Sequence, residues 1–267
     1  FYKDAYKEHL GIWNGFTEDK RKKSSFEDFD NSFKSMINNK VDEPVPVNPE
    51  GHLANGAHRL AAALYRQRPI NIRNTTAKEN YPIEADYKVF LRKGLHRHIM
   101  KRTALEYAKL KSNTHIVCLF PIAHTRMDEV INIIEKHSNI FYKSSEGLNE
   151  KGQIGLIKEI YLSEGWASEK GIMKKCKQCF RGMANVTFVL IDAKNLETVK
   201  EMKKEIRALF KVGNHSVHIN DFHEDTIRIA KTVFNRNSIN FLNNRKIASF
   251  PNYKKLMAEM KPNDNEI

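Results

Sequence analysis

Two clusters of residues in this sequence have the types and spacing for phosphate chemistry. In the first, Asn55-Gly56-Ala57-His58-Arg59 opens an Ala- and Leu-rich run. A helix start presents unpaired backbone N–H groups and the positive end of the helix dipole, both of which favour an anion. Gly56 would let the backbone approach that anion closely. His58 and Arg59 add side-chain donors, the arginine in a bidentate fork. A plainer reading of the same residues is a capped helix with His58 bonded to a loop carbonyl. In the second cluster, KEIRALFKVGNHSVHINDFHEDTIRIAKTVF brings Arg207, Gly213, His215, His218, Asp221 and Glu224 into one short stretch. A neutral imidazole at His218 is a nucleophile that can accept a phosphoryl group and split one transfer into two. Arg207 would neutralise charge on the transferring oxygens, and groups near His218 would fix its tautomer. Asp221 also reads as a helix N-cap, with Glu224 as its capping-box partner. In a plainer alternative, His215 and His218 simply line a pocket or satisfy backbone groups.

Other candidates are weaker. Cys176 and Cys179 form a lone C-x-x-C with Cys118 far upstream, too few ligands for a zinc site. His215, His218 and Asp221 would supply at most part of a metal site, so no resident metal is expected. His96, Arg97 and His98, with Lys93, Lys101 and Arg102, make a basic helix that reads as a solvated face or as a guide for an anion. Glu159, Glu164 and Trp166 fall together in LIKEIYLSEGW, where a Trp near carboxylates would pack normally or shape a sugar or base pocket.

The elements that must position these residues follow from periodicity. Residues 1–40 read as two helices, the second with Phe26, Phe29 and Phe33 at helical spacing before Met36 and Ile37. VDEPVPVNPEG is extended, with a short strand, because its prolines exclude a helix. Ala57 to Tyr65 is helical. RPINIRN is a strand with Ile70 and Ile72 alternating against polar neighbours. Leu95 to Lys111 is a basic helix, and the domain join is expected at Lys111–Asn113. Beyond it, HIVCLFPI is a strand ending at Pro121. Met127–His137 is a helix with Val130, Ile131, Ile133 and Ile134 inward. IFYKS is a strand, Glu150–Glu164 a helix, and Ser168–Phe180 another. NVTFVLIDA is a strand before a Lys/Glu helix through Arg207. SVHI is a short strand, Asp221–Asn235 is a helix, and the polar tail frays.

Charge and length bound the possibilities. The 267 residues carry 45 Lys plus Arg against 32 Asp plus Glu, a net of +13. The excess is concentrated: residues 51–112 hold 13 basic and 4 acidic side chains, a net of +9. Such a field draws nucleic acid, nucleotides, phosphosugars or an anionic membrane face. No apolar run approaches the roughly 20 residues of a membrane span. FYKDAYKEHL is charged from its third residue, so no leader is expected there, and a start at Phe1 is expected of a trimmed or partial chain. Three cysteines suit a reducing, cytoplasmic setting better than a disulfide framework.

The run PVPVNPEGHLANGAHRLAAALYRQRPINI, within about residues 30–110, resembles the ParB/sulfiredoxin fold, where a Gly-x-x-Arg-type helix start lies between short strands. That resemblance implies that Gly56, His58 and Arg59 hold nucleotide phosphates. Ala57 stands between Gly56 and His58 where sulfiredoxins have their cysteine, so reductase chemistry is not implied. Residues 114–240 resemble the nucleoside-diphosphate kinase fold through Ile206-Arg207, Phe210, Gly213, His218, Asp221 and Glu224. That likeness implies a ferredoxin-like arrangement, a reactive His218, and Tyr161 as a nucleotide-stacking or phosphate-binding residue. Three departures stand beside it. Phe120-Pro121 replaces the family's Lys-Pro, Ile229 stands where a Glu would orient the reactive His, and His215 replaces an Asn. The ordinary activity of that family is therefore not implied.

The expected fold class is mixed α/β, or α+β: a ParB/sulfiredoxin-like domain over 1–112 with a helical N-terminal extension, and a ferredoxin-like βαββαβ domain over 113–267 with a C-terminal tail. The expected function is a nucleotide-dependent phosphotransferase using ATP or another nucleoside triphosphate with Mg²⁺, acting on a small polar acceptor such as a sugar. His218, Arg207 and His58 would be catalytic. Asn55, Gly56, Arg59, Tyr161, His215 and Asp221 would bind nucleotide or phosphate. The rival readings are a ParB-type, nucleotide-gated nucleic-acid-binding protein, and a glycosyltransferase or accessory domain of surface-polysaccharide synthesis.

Overall fold

Short apolar stretches between proline-rich turns and longer periodic runs divide the chain into two compact units, Phe1–His96 and Arg97–Ile267. The computed structural model describes residues 2–16, 25–39, 43–49, 51, 53–75, 92, 94–162, 164–165 and 167–244.

In the first unit the aromatic stripe does what its spacing requires. Helix α1 (Tyr2–Phe16) is followed by α2 (Phe26–Asn38), which opens on Ser25; the Ser25 hydroxyl accepts from the Asp28 N–H. Phe29 and Phe33 are buried together with Ala62, and Tyr2, Tyr6, Phe26, Met36 and Ile37 pack around them. Strand β1 (Val45–Val47) pairs in parallel with β2 (Ile72–Asn74), and helix α3 (Ala57–Tyr65) forms the crossover between them.

The second unit is a ferredoxin-like sheet. It begins with helix α4 (Arg97–Leu110), strand β3 (Thr114–Leu119) and a 3₁₀ turn over Pro121–Arg126. Helix α5 (Met127–His137) and strand β4 (Ser138–Gly147) follow, then α6 (Glu150–Ile160) and α7 (Glu169–Phe180). Strand β5 (Asn185–Ala193), helix α8 (Leu196–Phe210) and strand β6 (Val217–Ile219) complete the sheet, before α9 (His223–Val233) and α10 (Arg236–Asn244). Its order is β4-β5-β3-β6, with every neighbouring pair antiparallel. Because α6 and α7 are inserted between β4 and β5, that pair is not a tight hairpin. All six β3 residues are buried, as a strand covered on both faces must be. On one face, Val117, Leu119, Val189 and Ile191 pack against Val130 and Ile134 of α5 and Met202 and Ile206 of α8. Each such side chain, fully buried, contributes about 1.5–3 kcal/mol.

The basic helix α4 belongs to this second compact unit, which starts at Arg97, whereas the join was expected near Lys111–Asn113. The reason is packing. Ile99, Met100, Ala104, Leu105 and Ala108 are buried, Tyr107 stacks on Phe141 of β4 at 3.8 Å between ring centres, and His223 bonds the Ala108 carbonyl at 2.8 Å.

One buried amide ties β3 to the turn that follows β6. Asn220 is 3% exposed. Its oxygen accepts from the Ile116 N–H at 2.7 Å, and its NH₂ donates to the Phe222 carbonyl at 2.8 Å and to Thr226 Oγ1 at 2.7 Å. Asn220→Ala strands the Ile116 N–H inside the protein, and each such orphan costs about 1–3 kcal/mol. Urea unfolding of Asn220→Ala should therefore show a loss of about 2–3 kcal/mol; a change below about 0.5 kcal/mol would show that the amide is not a structural link.

Candidate functional site

Strand β6 is only three residues long, and its alternation decides where His218 goes. Val217 and Ile219 turn into the α5–α8 core. Successive strand side chains take opposite faces, so His218 takes the other one, where the Tyr161 ring meets it edge-on at 4.9 Å and 73°. Tyr161 caps the C-terminal end of α6. His218 pairs with Cys118 of β3 in the ladder. Its Nε2 is sealed from solvent with no hydrogen-bond partner. Burial holds its pKa well below the ordinary histidine value, and the cations Lys203, Lys175, Arg207 and Arg228 push the same way. The imidazole is neutral at pH 7.

Helix α8 delivers the cations. Lys203 and Arg207 are four residues apart and share a helix face. Helix α8 closes on Lys211 in the left-handed region, and Gly213 at φ +61° then takes a backbone conformation that glycine adopts without strain. Lys203 donates to Asp221 Oδ1 at 2.9 Å. Arg207 Nε is buried and has no hydrogen-bond partner. Burial weakens the guanidinium's hold on its proton, against the pull of Tyr161 and Asp221, but arginine stays charged in any such setting.

A third cation comes from the inserted helix α7. Lys175 is 6% exposed and lies 5.4 Å from the centre of the Tyr161 ring. Its amine donates to the Asn214 carbonyl at 2.8 Å, to Asn214 Oδ1 at 3.1 Å and to His215 Nδ1 at 3.3 Å. An ammonium has three protons, so Lys175 pins the turn before β6 and acts on the cleft mainly through its field. Burial lowers its pKa. Burial, then Lys175, Arg181, Arg207 and Lys174, likewise keep His215 neutral.

These side chains line a cleft of about 490 Å³ with Tyr161, Lys203, Arg207, His218, Asp221 and Phe222 among its walls. Glu164, Glu224 and Asp225 also line it. Arg228 of α9 ties its own helix to α6. It donates to Glu159 Oε1 at 2.8 Å and to Asp225 Oδ1 at 2.6 Å, and it also bonds the Glu159 carbonyl. Glu159 is 1% exposed.

Of the residues singled out in the sequence, Tyr161, Arg207, His218 and Asp221 share this cleft, and His215 joins it through Lys175. Asp221 is not the N-cap of α9. That cap is Phe222, which makes no side-chain bond to the helix, because the Lys203 amine holds the Asp221 carboxylate instead. Lys175 and Lys203 were not anticipated. For Lys203 the signal was present in its four-residue spacing from Arg207. Ile229, at the place of the expected orienting carboxylate, is fully buried.

Asn55, Gly56, His58 and Arg59 lie in the other unit, where Arg59 lines a cavity of about 610 Å³ together with Arg66 and Arg68. Asn55 Oδ1 accepts from the Gly56 N–H at 2.6 Å. Gly56 sits at φ +85°, and a Cβ there would come 3.1 Å from the Arg59 guanidinium. The room the glycine leaves is thus filled by Arg59. That guanidinium donates to the Glu43 and Pro44 carbonyls at 3.2 and 3.0 Å and pairs with the Glu43 carboxylate at 2.9 Å. His58 Nδ1 lies 3.0 Å from the Tyr2 hydroxyl, with its ring among Tyr6 at 4.6 Å and Phe29 at 4.8 Å.

The basic helix is largely matched by acids. Lys101 pairs with Glu146, Arg102 and Lys109 with Glu106, and Lys111 with Asp192. Lys93 and Trp166 lie outside the described residues. Cys118, Cys176 and Cys179 are buried free thiols; burial pushes Cys176 up to about 11 and Cys179 up to about 12. Among the described residues, no group of three or more His, Cys, Asp or Glu side chains is placed to hold a metal ion, and no helix is long and apolar enough to cross a membrane.

No protein-family model matches the chain, and no curated protein matches it. Among solved structures it is similar to a crystal form of the Aquifex aeolicus nucleoside diphosphate kinase, with a TM-score of 0.34 and 12% identity, over 47% of this chain and 97% of that one.

Proposed function

We propose that the chain is a nucleotide-dependent phosphotransferase in which His218 carries the phosphoryl group between a nucleoside triphosphate and a small polar acceptor. One observation carries the reading: a neutral, half-buried imidazole shares a cleft with Lys175, Lys203 and Arg207. The Arg207 Nε is enclosed, which leaves the terminal nitrogens of the fork to meet an anionic oxygen in the cleft.

His218 Nε2 is sealed, so Nδ1 is the ring nitrogen left to the cleft. Its lone pair attacks the terminal phosphorus. The N–P bond forms as the P–O bond to the nucleoside diphosphate breaks, and the electron pair stays on the leaving oxygen. An acceptor hydroxyl then attacks the same phosphorus, the N–P bond breaks, and the hydroxyl proton passes to solvent. The reactive tautomer has its proton on Nε2, the nitrogen enclosed away from solvent. Arg207 meets the charge on the equatorial oxygens, and Lys203, released from Asp221, adds a second contact. Mg²⁺ would arrive with the nucleotide and neutralise its phosphates. Asn55, Gly56, His58 and Arg59 serve the packing of the first unit in this account.

Incubation with ATP labelled at the γ position should place acid-labile, alkali-stable label on the wild-type protein and none on His218→Asn. Label of equal amount on both proteins would overturn the reading. The rate of labelling has a pH signature. A free histidine loses its nucleophilic form as pH falls through about 6.5, whereas the depressed pKa of His218 keeps it neutral below that. Labelling should hold its rate from pH 8 to pH 6. The stability sign is opposite in consequence. A depressed folded pKa means the unfolded chain binds the proton first, so stability is complete above about 6.5 and falls as pH drops below it, by up to about 1.4 kcal/mol per pH unit for this group. His218→Asn should make that acid limb shallower.

A further inference from the structure

We infer that Phe222 is the platform on which the nucleobase of the ligand stacks, so that the cleft takes a nucleotide in preference to a bare polyphosphate or a sugar phosphate; this rests on the phosphate-binding reading of the same cleft. Phe222 lines the cleft and yet is 67% exposed. Charged walls, Lys203, Arg207 and Asp221 among them, share the cleft with the apolar Ile160 and Ile219. A ligand that matches both features has phosphate oxygens at one end and a flat aromatic face at the other.

The backbone that carries the platform is fixed before anything binds. The Phe222 carbonyl accepts from the Asn220 amide at 2.8 Å and from the Thr226 N–H at 3.2 Å. Asn220 is itself held by the Ile116 N–H. Phe222 is also the residue at which α9 begins. A ring on an anchored backbone loses little freedom on stacking, which is what preorganisation requires. The cleft volume of about 490 Å³ lies within the range of small-ligand sites, roughly 300–1,000 Å³. Stacking on one ring is tolerant of which base is present, because every base has a π face. The platform therefore selects for a base and not for a particular one.

The test compares ATP with inorganic tripolyphosphate by calorimetry on the full chain, as wild type, Phe222→Ala, Phe222→Trp and Arg207→Ala. Wild type should bind ATP more tightly than tripolyphosphate. Phe222→Ala should weaken ATP by about 5- to 100-fold and leave tripolyphosphate within twofold. Phe222→Trp should restore ATP binding and show quenching of the new indole. Arg207→Ala should weaken both ligands. ATP binding that is indifferent to Phe222→Ala, or equal losses for both ligands, would overturn the inference while leaving the phosphate site standing. So would a change confined to oligomeric state, which would make Phe222 a contact between chains. If wild type binds neither ligand, the phosphotransfer reading falls as well.

Discussion

Arg207→Ala should lower the rate of His218 labelling by about 10²–10³-fold, the usual cost of removing one donor aimed at developing negative charge. The same substitution should leave the melting temperature unchanged or raise it. Arg207 brings a charge into a place where burial opposes it, where its Nε finds no acceptor, and where its charge, with those of Lys175 and Lys203, helps depress His218. A residue that opposes stability and supports activity belongs to the function–stability trade-off. Arg207→Lys should recover only part of the rate, since an ammonium lacks the planar fork. A large fall in melting temperature with Arg207→Ala, together with unchanged labelling, would make Arg207 a structural residue.

The largest effect on stability is expected beneath the cleft. Arg228→Leu removes the guanidinium from two carboxylates at once, Glu159 at 1% exposure and Asp225. Breaking a buried ion pair from one side costs about 3–5 kcal/mol, and urea unfolding should show a loss of that order. Replacing both members is far gentler, because the desolvation of both charges is removed along with their attraction. Glu159→Leu combined with Arg228→Leu should therefore be less destabilised than the sum of the single changes by about 1–3 kcal/mol. Strict additivity would mean that the two side chains do not interact energetically.

Much of the second unit was legible because its strands and helices have clean periods. NVTFVLIDA is β5 to the residue, and the inward face of Met127–His137 carries Val130 and Ile134 as the spacing requires. Tyr161, Arg207, His218 and Asp221 do line one cleft, because the helix and strand that carry Arg207 and His218 lie where the periods put them. Lys175 was not. Its helix buries Ile172, Cys176 and Cys179, and a lysine inside that stripe reads as solvated until the fold brings Asn214 and His215 to it. Asp221 shows the opposite failure. Its local pattern fits a capping box, but a lysine eighteen residues away takes the carboxylate, and no local rule contains that. Gly56 and Arg59 read as an anion cradle because glycine flexibility and arginine charge both suit one, and Arg59 does line a cavity. The guanidinium folded back onto Glu43 and Pro44, carbonyls that precede it by fifteen residues or more. The basic helix α4 was placed with its sequence neighbours, whereas its apolar face assigns it to the sheet that follows.

Nδ1 of His218 is the atom on which phosphoryl transfer turns, and nitrogen magnetic resonance reads it. The protein is prepared with ¹⁵N-histidine, mixed with ATP and Mg²⁺, and observed for one-bond coupling between nitrogen and phosphorus. Of the 11 histidines, one ring should acquire that coupling at Nδ1, and the signal should be missing from His218→Asn. Coupling on any other histidine, or on none while ATP is bound, would contradict the account.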